Sequence, residues 1–389
     1  MRQKRFFCEL SFVALFSLTF VAGVFGAQEL HGKYFAYVGT YTDGASKGIY
    51  AYEYDAKTKK TTSLGLVAET TNPSFVAVDA AHHFVYAVNE VPKYDGQVSG
   101  GVSAFAVDAK TGKLTFLNEV ASRGADPCYI SLDKSGKYVL VANYTSGNVS
   151  VFPILKDGKL GESSGFVQHK GSGPDHERQE GPHAHFIEVT ADNRYAVAAD
   201  LGLDELLLYR FDAAKGSLTP NDPPFAKVEG GAGPRHFAFH PSGKYAYVVD
   251  EMKSTVNAFA YDSEHGTLKV TQTLSTLPAG FSGKNDTAEL AMHPSGKFVY
   301  ASNRGHDSIA VFAVNPKNGT LTLVENAPTL GKTPRSFEID PTGTRLFAAN
   351  QESGTIVVFR IDPKSGRLSP TGETLNVPAP VCVKFLPAD

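Results

Sequence analysis

The sequence of 389 residues contains no tryptophan, three methionines and three cysteines. Cys8 lies in the N-terminal apolar segment, which leaves Cys128 and Cys382 for the folded part of the chain. Each of them lies at the start of a strand, and the two strands belong to repeats that are not neighbours in the sequence. We therefore interpret the two cysteines as free, buried thiols rather than as a disulfide. The formal net charge is −3, and we therefore predict that neither nucleic acid nor an anionic membrane surface is the partner.

Long helical periodicity is also missing from the sequence after its first segment. Residues 1–26 have the pattern of a secretory signal, with a basic start, an apolar run from Leu10 to Phe25 and small residues near Gly26. A membrane anchor is the alternative, but this run is short for a span. We predict a signal peptide over 1–26, no stable membrane span after processing, and a periplasmic or secreted protein.

One structural unit recurs along the chain, and its clearest copy runs from Gly233 to Val270. Phe237 and Phe239 alternate with smaller residues, a tight turn follows at 240–244, and Tyr245–Val249 forms a second strand. Two further strands complete a four-stranded antiparallel meander. Seven copies are recognisable, and their first strands all repeat the same pair of apolar positions.

The two termini hold complementary pieces of one unit. The chain begins on a second strand, Tyr34–Gly39, and ends on a first strand, Val381–Leu386. The last strand can therefore complete the first sheet and remove its open edge. The sequence predicts an all-β, seven-bladed β-propeller over residues 27–389, with four antiparallel strands per blade and the C-terminal strand in the first blade. An open β-solenoid, the competing architecture, does not explain the complementary ends.

Two positions on one rim change their chemistry from copy to copy. They lie in the loops that enter the first strands and leave the second strands. The first position holds Ser74, Cys128, His185, Arg235, Ala288, Arg335 and Val381. The second holds Tyr41, Glu90, Tyr144, Leu201, Glu251, Arg304 and Gln351. The fold does not need such variety, so we predict a ligand site around the channel mouth on this rim.

Histidines are concentrated near the same rim. His183 and His185 are two residues apart, and His169, His176 and Glu177 precede them in a polar insertion over 168–181. A zinc site is the alternative, but the spacing matches no strong metal motif and the insertion is expected to be flexible. We predict no metal and no cofactor. His240 and His293, in the repeated HPSGK turns, are interpreted as turn residues.

The motifs GPHAH, GPRHFAFHPSGKYAYVVDE, HPSGKFVYASNRGHDSIAVF and PRSFEIDPTG resemble those of the seven-bladed lactonase family. This family contains the propeller-type 6-phosphogluconolactonases and the fungal carboxy-cis,cis-muconate cyclising enzymes. The resemblance covers roughly residues 33–386 and implies a metal-independent hydrolase of sugar lactones. In the fungal branch, a histidine, a glutamate and two arginines at the channel mouth carry catalysis and binding. The matching motifs of this sequence offer His183 or His185, Glu251, Arg235 and Arg304 for these roles. We predict that His183, His185, Glu251 and Arg235 are catalytic. The predicted substrate-binding residues are Arg304, His236, Glu90, His306, Arg335 and Gln351.

Glu251 is expected to act as a general base or as the partner of the catalytic histidine. A surface glutamate paired with Lys253 is the alternative. The arginines would stabilise the developing oxyanion or clamp a phosphate or carboxylate of a small anionic lactone. Two other functions stay open, namely reversible lactone formation from an unsaturated diacid and non-catalytic binding of protein or carbohydrate. Because the phosphogluconolactone reaction belongs to the cytosol, predicted export favours another lactone.

Overall fold

The computed structural model describes residues 32–388 apart from Ala80 and His82. The predicted signal peptide over 1–26 lies outside the described residues. Within the described part of the chain, no helix is long and apolar enough to cross a membrane.

The described chain forms 28 strands in seven antiparallel sheets of four strands each. In blade 1 these are β28 (Pro380–Pro387), β1 (Lys33–Thr40), β2 (Gly48–Asp55) and β3 (Lys60–Glu69). Blade 2 has β4 (Val76–Asp79), β5 (Phe84–Asn89), β6 (Gly101–Val107) and β7 (Leu114–Ala121), and blade 3 has β8 (Pro127–Leu132), β9 (Tyr138–Asn143), β10 (Asn148–Pro153) and β11 (Gly165–Gln168). Blade 4 has β12 (Ala184–Val189), β13 (Tyr195–Asp200), β14 (Glu205–Asp212) and β15 (Ser217–Lys227).

Blades 5, 6 and 7 repeat the same meander. Blade 5 has β16 (Pro234–Phe239), β17 (Tyr245–Asp250), β18 (Thr255–Asp262) and β19 (Thr267–Ser275). Blade 6 has β20 (Asp286–Met292), β21 (Phe298–Arg304), β22 (Ser308–Val314) and β23 (Leu321–Pro328), and blade 7 has β24 (Pro334–Ile339), β25 (Arg345–Asn350), β26 (Thr355–Ile361) and β27 (Leu368–Asn376). The seven-bladed, four-stranded prediction is therefore confirmed.

The ring closes through the pairing of β28 with β1. Val383 lies opposite Val38 and Phe385 opposite Ala36 in an antiparallel ladder. The C-terminal strand thus completes blade 1, as the complementary ends of the sequence predicted. Second strands such as β9 and β13 are buried along their whole length, because neighbouring blades cover both faces, and this explains their continuous apolar sequences.

Tyrosine hydroxyls tie each of four blades to the next blade in chain order. In each case a second-strand tyrosine donates to a glycine carbonyl in the turn between the two outer strands of its neighbour. The four pairs are Tyr37 to Gly112, Tyr86 to Gly158, Tyr247 to Gly319 and Tyr300 to Gly366. His240 and His293 have a double role, because Nδ1 accepts from the backbone of their own turn while Nε2 bonds the turn of the next blade. Their predicted turn role is confirmed and extended.

Candidate active site

A β-bulge near the start of the inner strand recurs in most blades. In β8, β12, β16, β24 and β28 the ladder skips one residue at this point. The skipped residues are Cys128, His185, Arg235, Arg335 and Val381. A bulge re-aims its side chain out of the ladder pattern. This explains why the first variable position of the sequence is free to carry chemistry without disturbing the blades.

Glu251, directly after β17, is the centre of an arginine cluster. Its Oε2 accepts a hydrogen bond from Arg235 Nε at 3.0 Å and forms an ion pair with Arg304 Nη2 at 2.9 Å. Its Oε1 accepts from Arg178 Nη2 at 2.7 Å. Burial raises the pKa of Glu251, but the three guanidinium groups outweigh burial and lower that pKa to about 2. Lys253 pairs with Glu229 instead, so the alternative of a Glu251–Lys253 surface pair is wrong.

Arg178 reaches Glu251 from the polar insertion between blades 3 and 4. The insertion is anchored at both ends. His169 Nδ1 lies 2.6 Å from Asp200 Oδ2, and the fully buried Gln179 donates to the carbonyl oxygen of Leu201. The expectation of a flexible segment is therefore corrected, because buried hydrogen bonds fix it over the channel mouth. His169 Nε2 also lies 2.9 Å from the Tyr209 hydroxyl, so both ring nitrogens are engaged in hydrogen bonds and neither is available as a metal ligand.

Glu90 and its neighbours form the opposite side of the site. The hydroxyl of Tyr41 donates to Glu90 Oε1 at 2.9 Å, and the guanidinium of Arg335 lies 5.2 Å from the centre of the Tyr41 ring. Burial raises the pKa of Glu90, although Arg335 opposes this effect. Above this group lies a cavity of about 550 Å³, the mouth cavity, which is large enough for a sugar. Its lining includes Tyr41, Asn72, Glu90, Asp126 and Gln351.

A much smaller cavity of about 10 Å³, the floor cavity, connects the two groups. Its lining consists of Ser74, Phe75, Glu90, Cys128, Arg235, His236, Arg335 and Val381. Glu90 lines both cavities. The floor cavity therefore lies where the Arg235 side and the Arg335 side of the channel meet.

His236 forms a dyad with Glu289 of blade 6. Its Nδ1 lies 2.7 Å from Glu289 Oε1, and Ser336 Oγ donates to Glu289 Oε2 at 3.1 Å. His236 packs edge-to-face against the rings of Phe75 and Tyr129, which close the channel below the site. Burial lowers the pKa of His236 to about 4 despite the opposing charge of Glu289. The imidazole is thus neutral at neutral pH and its Nδ1–H donates to the glutamate.

The two histidines of the GPHAH motif lie at different depths. His183 precedes β12, stacks on Tyr144 at 4.6 Å and faces the exposed Glu180. His185 is buried deeper, with Nδ1 3.6 Å from Cys128 Sγ and its ring 5.3 Å from that of His236. Burial is the first cause that lowers the pKa of His185 well below 6.5. Only His185 of this pair lies beside the floor cavity residues.

Gln351 and His306, two further predicted substrate-binding residues, differ in their relation to the site. Gln351 lines the mouth cavity beside Glu90. His306 instead bonds Ser308 through Nδ1 and contacts the ring of Phe281, both in the outer loops of blade 6 and the segment before it. The structure therefore does not bring His306 together with the other site residues.

Arg235 has fewer guanidinium nitrogens available for a ligand than the sequence suggested. Its Nε donates to Glu251 and its Nη1 donates to the carbonyl oxygen of Ala288 at 2.7 Å. Only Nη2 has no hydrogen-bond partner within the described part of the chain. Arg235 can thus offer a ligand one nitrogen, and a bidentate clamp on an anion is not available from it in this arrangement.

Comparison with known proteins places the chain in a family. The model of the seven-bladed β-propeller lactonases matches residues 35–385. The chain belongs to this family. It is 44% identical to the 6-phosphogluconolactonase of Bacillus subtilis, over 91% of this chain and 99% of that protein. It is 35% identical to the 6-phosphogluconolactonase of Formosa agariphila, over 78% of this chain and 86% of that one.

A solved structure has the same architecture. The periplasmic gluconolactonase of Pseudomonas aeruginosa is 34% identical, with a TM-score of 0.86, and the match covers 92% of this chain and all of that one. The prediction of a propeller lactonase is confirmed by these matches. The free, buried state predicted for Cys128 and Cys382 is also confirmed.

Sequence reasoning missed two members of the site. Arg178 lies in an insertion that has no counterpart in the other repeats, so the comparison of repeats could not single it out. Glu289 comes directly after Ala288, which occupies the first variable position in blade 6, and its partner His236 is 53 residues away. The one available signal was a glutamate inside an otherwise apolar inner strand, because a buried carboxylate needs a partner.

Proposed function

We propose that the protein hydrolyses a sugar lactone that carries an anionic group, and that the reaction takes place outside the cytoplasm. The observation that supports this most strongly is the charge balance of the floor cavity. Two arginines, Arg235 and Arg335, and a single carboxylate, Glu90, line it. This local excess of cations favours a ligand with negative charge. Arg178 and Arg304 extend the arginine group to four members and pair, like Arg235, with Glu251.

Glu251 organises the arginines in this proposal and is not the base. A carboxylate with a pKa of about 2 that is already paired with three guanidinium groups has little affinity for the proton of a water molecule. Its charge instead holds Arg235 and Arg304 in place at the edge of the cavity. Pre-positioned donors of this kind stabilise an oxyanion without rearranging during the reaction.

Arg335 and Arg235 are the proposed donors to the carbonyl oxygen of the lactone. Both line the floor cavity, so they lie close to the point where the mouth cavity ends and the carbonyl group would be placed. Arg178 has a side chain that is 40% exposed. It is the outermost of the four arginines and is proposed to contact the distal anionic group.

A lactone panel tests this function. Purified protein would be assayed for acid release with 6-phosphoglucono-δ-lactone, glucono-δ-lactone and a neutral aliphatic lactone, with the spontaneous rate subtracted. The phosphorylated lactone serves as the anionic probe, and the proposal predicts a higher kcat/KM for it than for either uncharged lactone. Acid release that never exceeds the spontaneous rate for any lactone would overturn the proposal. Turnover of an unsaturated tricarboxylate, followed by its ultraviolet absorbance, would instead favour a lactonising isomerase.

Export is proposed from the basic and apolar pattern of residues 1–26, and the relative from Pseudomonas aeruginosa is described as periplasmic. Expression of the full chain in a Gram-negative host tests this. We expect mature protein in the periplasmic fraction, with an N-terminus near Ala27 by mass spectrometry. Intact residues 1–26 on cytoplasmic protein would contradict export.

A further inference from the structure

We propose that His236, oriented by Glu289, is the general base that activates the hydrolytic water. This inference rests on the proposed lactonase function and deepens it. It assigns the base to neither histidine of the GPHAH motif and not to Glu251. The argument depends on the hydrogen bonds of the dyad, on the floor cavity and on the positions of the competing groups.

The dyad fixes which nitrogen of His236 can accept a proton. Nδ1 is committed to Glu289 Oε1 at 2.7 Å. Glu289 is itself held by Ser336 Oγ and by the backbone N–H of Leu290 at 3.1 Å each. The carboxylate therefore keeps the proton on Nδ1 and leaves the lone pair on Nε2. A carboxylate that orients the imidazole of a base in this way is the usual support for such a group.

His236 Nε2 is buried and has no hydrogen-bond partner among the described residues. The residue as a whole is 3% exposed. Buried polar nitrogens are nearly always paired, with protein or with ordered water. An unpaired ring nitrogen at the end of a fully bonded dyad therefore indicates that Nε2 bonds a molecule that is not part of the chain.

The floor cavity supplies the place for that molecule. Its volume of about 10 Å³ is close to the roughly 10–15 Å³ that holds one water molecule. His236, Glu90, Arg235 and Arg335 line it and provide the two to four polar partners, roughly, that a buried water needs. Since Glu90 also lines the mouth cavity, a water held here would lie directly below a bound lactone.

The proposed step balances without a co-reactant. The water oxygen forms a bond to the lactone carbonyl carbon while one water proton passes to His236 Nε2. The carbonyl oxygen becomes an oxyanion beside Arg235 and Arg335. Collapse of this intermediate breaks the bond from the carbonyl carbon to the ring oxygen. The imidazolium then returns the proton to that oxygen, which yields the hydroxy acid.

The other candidate bases are less well placed. Glu251 is bonded to three arginines, and His183 faces Tyr144 and Glu180 outside the floor cavity. His185 Nδ1 lies against Cys128 Sγ. Burial of His236 keeps its imidazole neutral at neutral pH, which is the state that a base requires. Glu90 is the remaining rival, because it also lines the floor cavity.

His236→Asn is the test variant. Asparagine places its amide nitrogen near the position of Nδ1, so the bond to Glu289 is kept while Nε2 is removed. The matched control is His265→Asn, because His265 is exposed and also bonds an acid, Asp262, through Nδ1. Both variants and wild type would be compared by thermal melting and by kcat and KM for the best lactone substrate. Addition of imidazole would test rescue of His236→Ala.

The proposal predicts that His236→Asn melts near the wild-type temperature, keeps KM within about threefold and loses kcat by a hundredfold or more. Imidazole is expected to restore part of the kcat of His236→Ala, and His265→Asn to match wild type. Wild-type kcat in a folded His236→Asn overturns the role of His236, while lactone turnover by wild type would leave the lactonase function intact. Loss of kcat in Glu90→Gln alone would move the base to Glu90. Absence of any lactone turnover by wild type would overturn both proposals.

Glu289 is a positioning residue in this account. Glu289→Gln removes the charge that stabilises the imidazolium but keeps an oxygen that can accept from Nδ1. We expect kcat to fall by about tenfold to a hundredfold with KM unchanged. We expect Glu289→Asp not to restore the wild-type kcat. A purely structural role would be indicated if Glu289→Gln lowered the melting temperature together with kcat and if Glu289→Asp kept the wild-type kcat.

Discussion

Arg178 and Glu251 are 73 residues apart in the sequence, and their side chains meet at 2.7 Å across the channel mouth. Arg178 comes from the insertion between blades 3 and 4, whereas Glu251 follows the second strand of blade 5. Arg235 of blade 5 and Arg304 of blade 6 already pair with this carboxylate, and Arg178 adds a third guanidinium group. The insertion is therefore part of the site and supplies the most solvent-exposed of the site's arginines.

Arg178→Ala is expected to change substrate preference more than turnover. A charge-assisted bond to a partly exposed phosphate contributes about 1–2 kcal/mol, so KM for 6-phosphoglucono-δ-lactone should rise by about tenfold. KM for glucono-δ-lactone should change little. The measurement is the ratio of the two kcat/KM values in variant and wild type. Arg194→Ala, which removes an exposed arginine paired with Asp192, is the control. An unchanged ratio would remove Arg178 from substrate binding.

Glu251→Gln is expected to lower stability, because it leaves three guanidinium groups without their counter-charge. Removing one partner of a buried ion pair typically costs about 3–5 kcal/mol. The sequence-based hypothesis of a catalytic base instead predicts an unchanged melting temperature with a lower kcat. Urea unfolding at neutral pH, compared with the exposed control Glu264→Gln, distinguishes the two. Wild-type stability of the variant would argue against the ion-pair role.

The acid side of the stability curve gives a second test of Glu251. The pKa of this carboxyl is lowered from its ordinary value of 4.5 to about 2 by folding. Its contribution is therefore complete above pH 4.5 and is lost as the pH falls toward 2. The difference corresponds to about 3 kcal/mol. The difference in the free energy of unfolding between wild type and Glu251→Gln should become smaller as the pH falls through this interval. A difference that stays constant with pH would contradict the prediction.

Removal of residues 380–389 is expected to destabilise the whole ring. This deletion takes away β28, leaves the inner edge of β1 without its partner and exposes apolar residues such as Val38. We expect loss of the cooperative melting transition, measured by circular dichroism. Deletion of residues 388–389 alone is the control. A truncated protein with wild-type melting would show that closure in blade 1 is dispensable.

Tyr86→Phe tests the links between blades. The hydroxyl of Tyr86 is buried and bonds the carbonyl oxygen of Gly158 at 3.1 Å, so its loss leaves a buried acceptor without a donor. The expected cost is about 1 kcal/mol in the free energy of unfolding. Tyr50→Phe is the matched control, since the Tyr50 hydroxyl has no hydrogen bond within the part of the chain described. Equal stability of the two variants would count against the links.

The sequence was sufficient for the fold because the repeats are local and their apolar alternation is strict. It located the rim for the same reason, since variable positions stand out against a repeated background. It could not separate His183 from His185, because the bulge in β12 depends on pairing with β13. Apart from Arg235, the partners of Glu251 and His236 come from other blades or from the insertion, and such contacts leave no mark in the spacing of residues. The Lys253 alternative failed for this reason.

The most direct test of the central claim is the kinetics of Arg335→Met. This variant keeps much of the length of a side chain that lines the floor cavity and contacts the ring of Tyr41, but it removes the positive charge. If the arginine-lined channel opens an anionic sugar lactone, kcat/KM for 6-phosphoglucono-δ-lactone should fall by about a hundredfold or more, with melting close to wild type. A folded Arg335→Met variant with wild-type kcat/KM on every lactone that the protein hydrolyses would contradict the account.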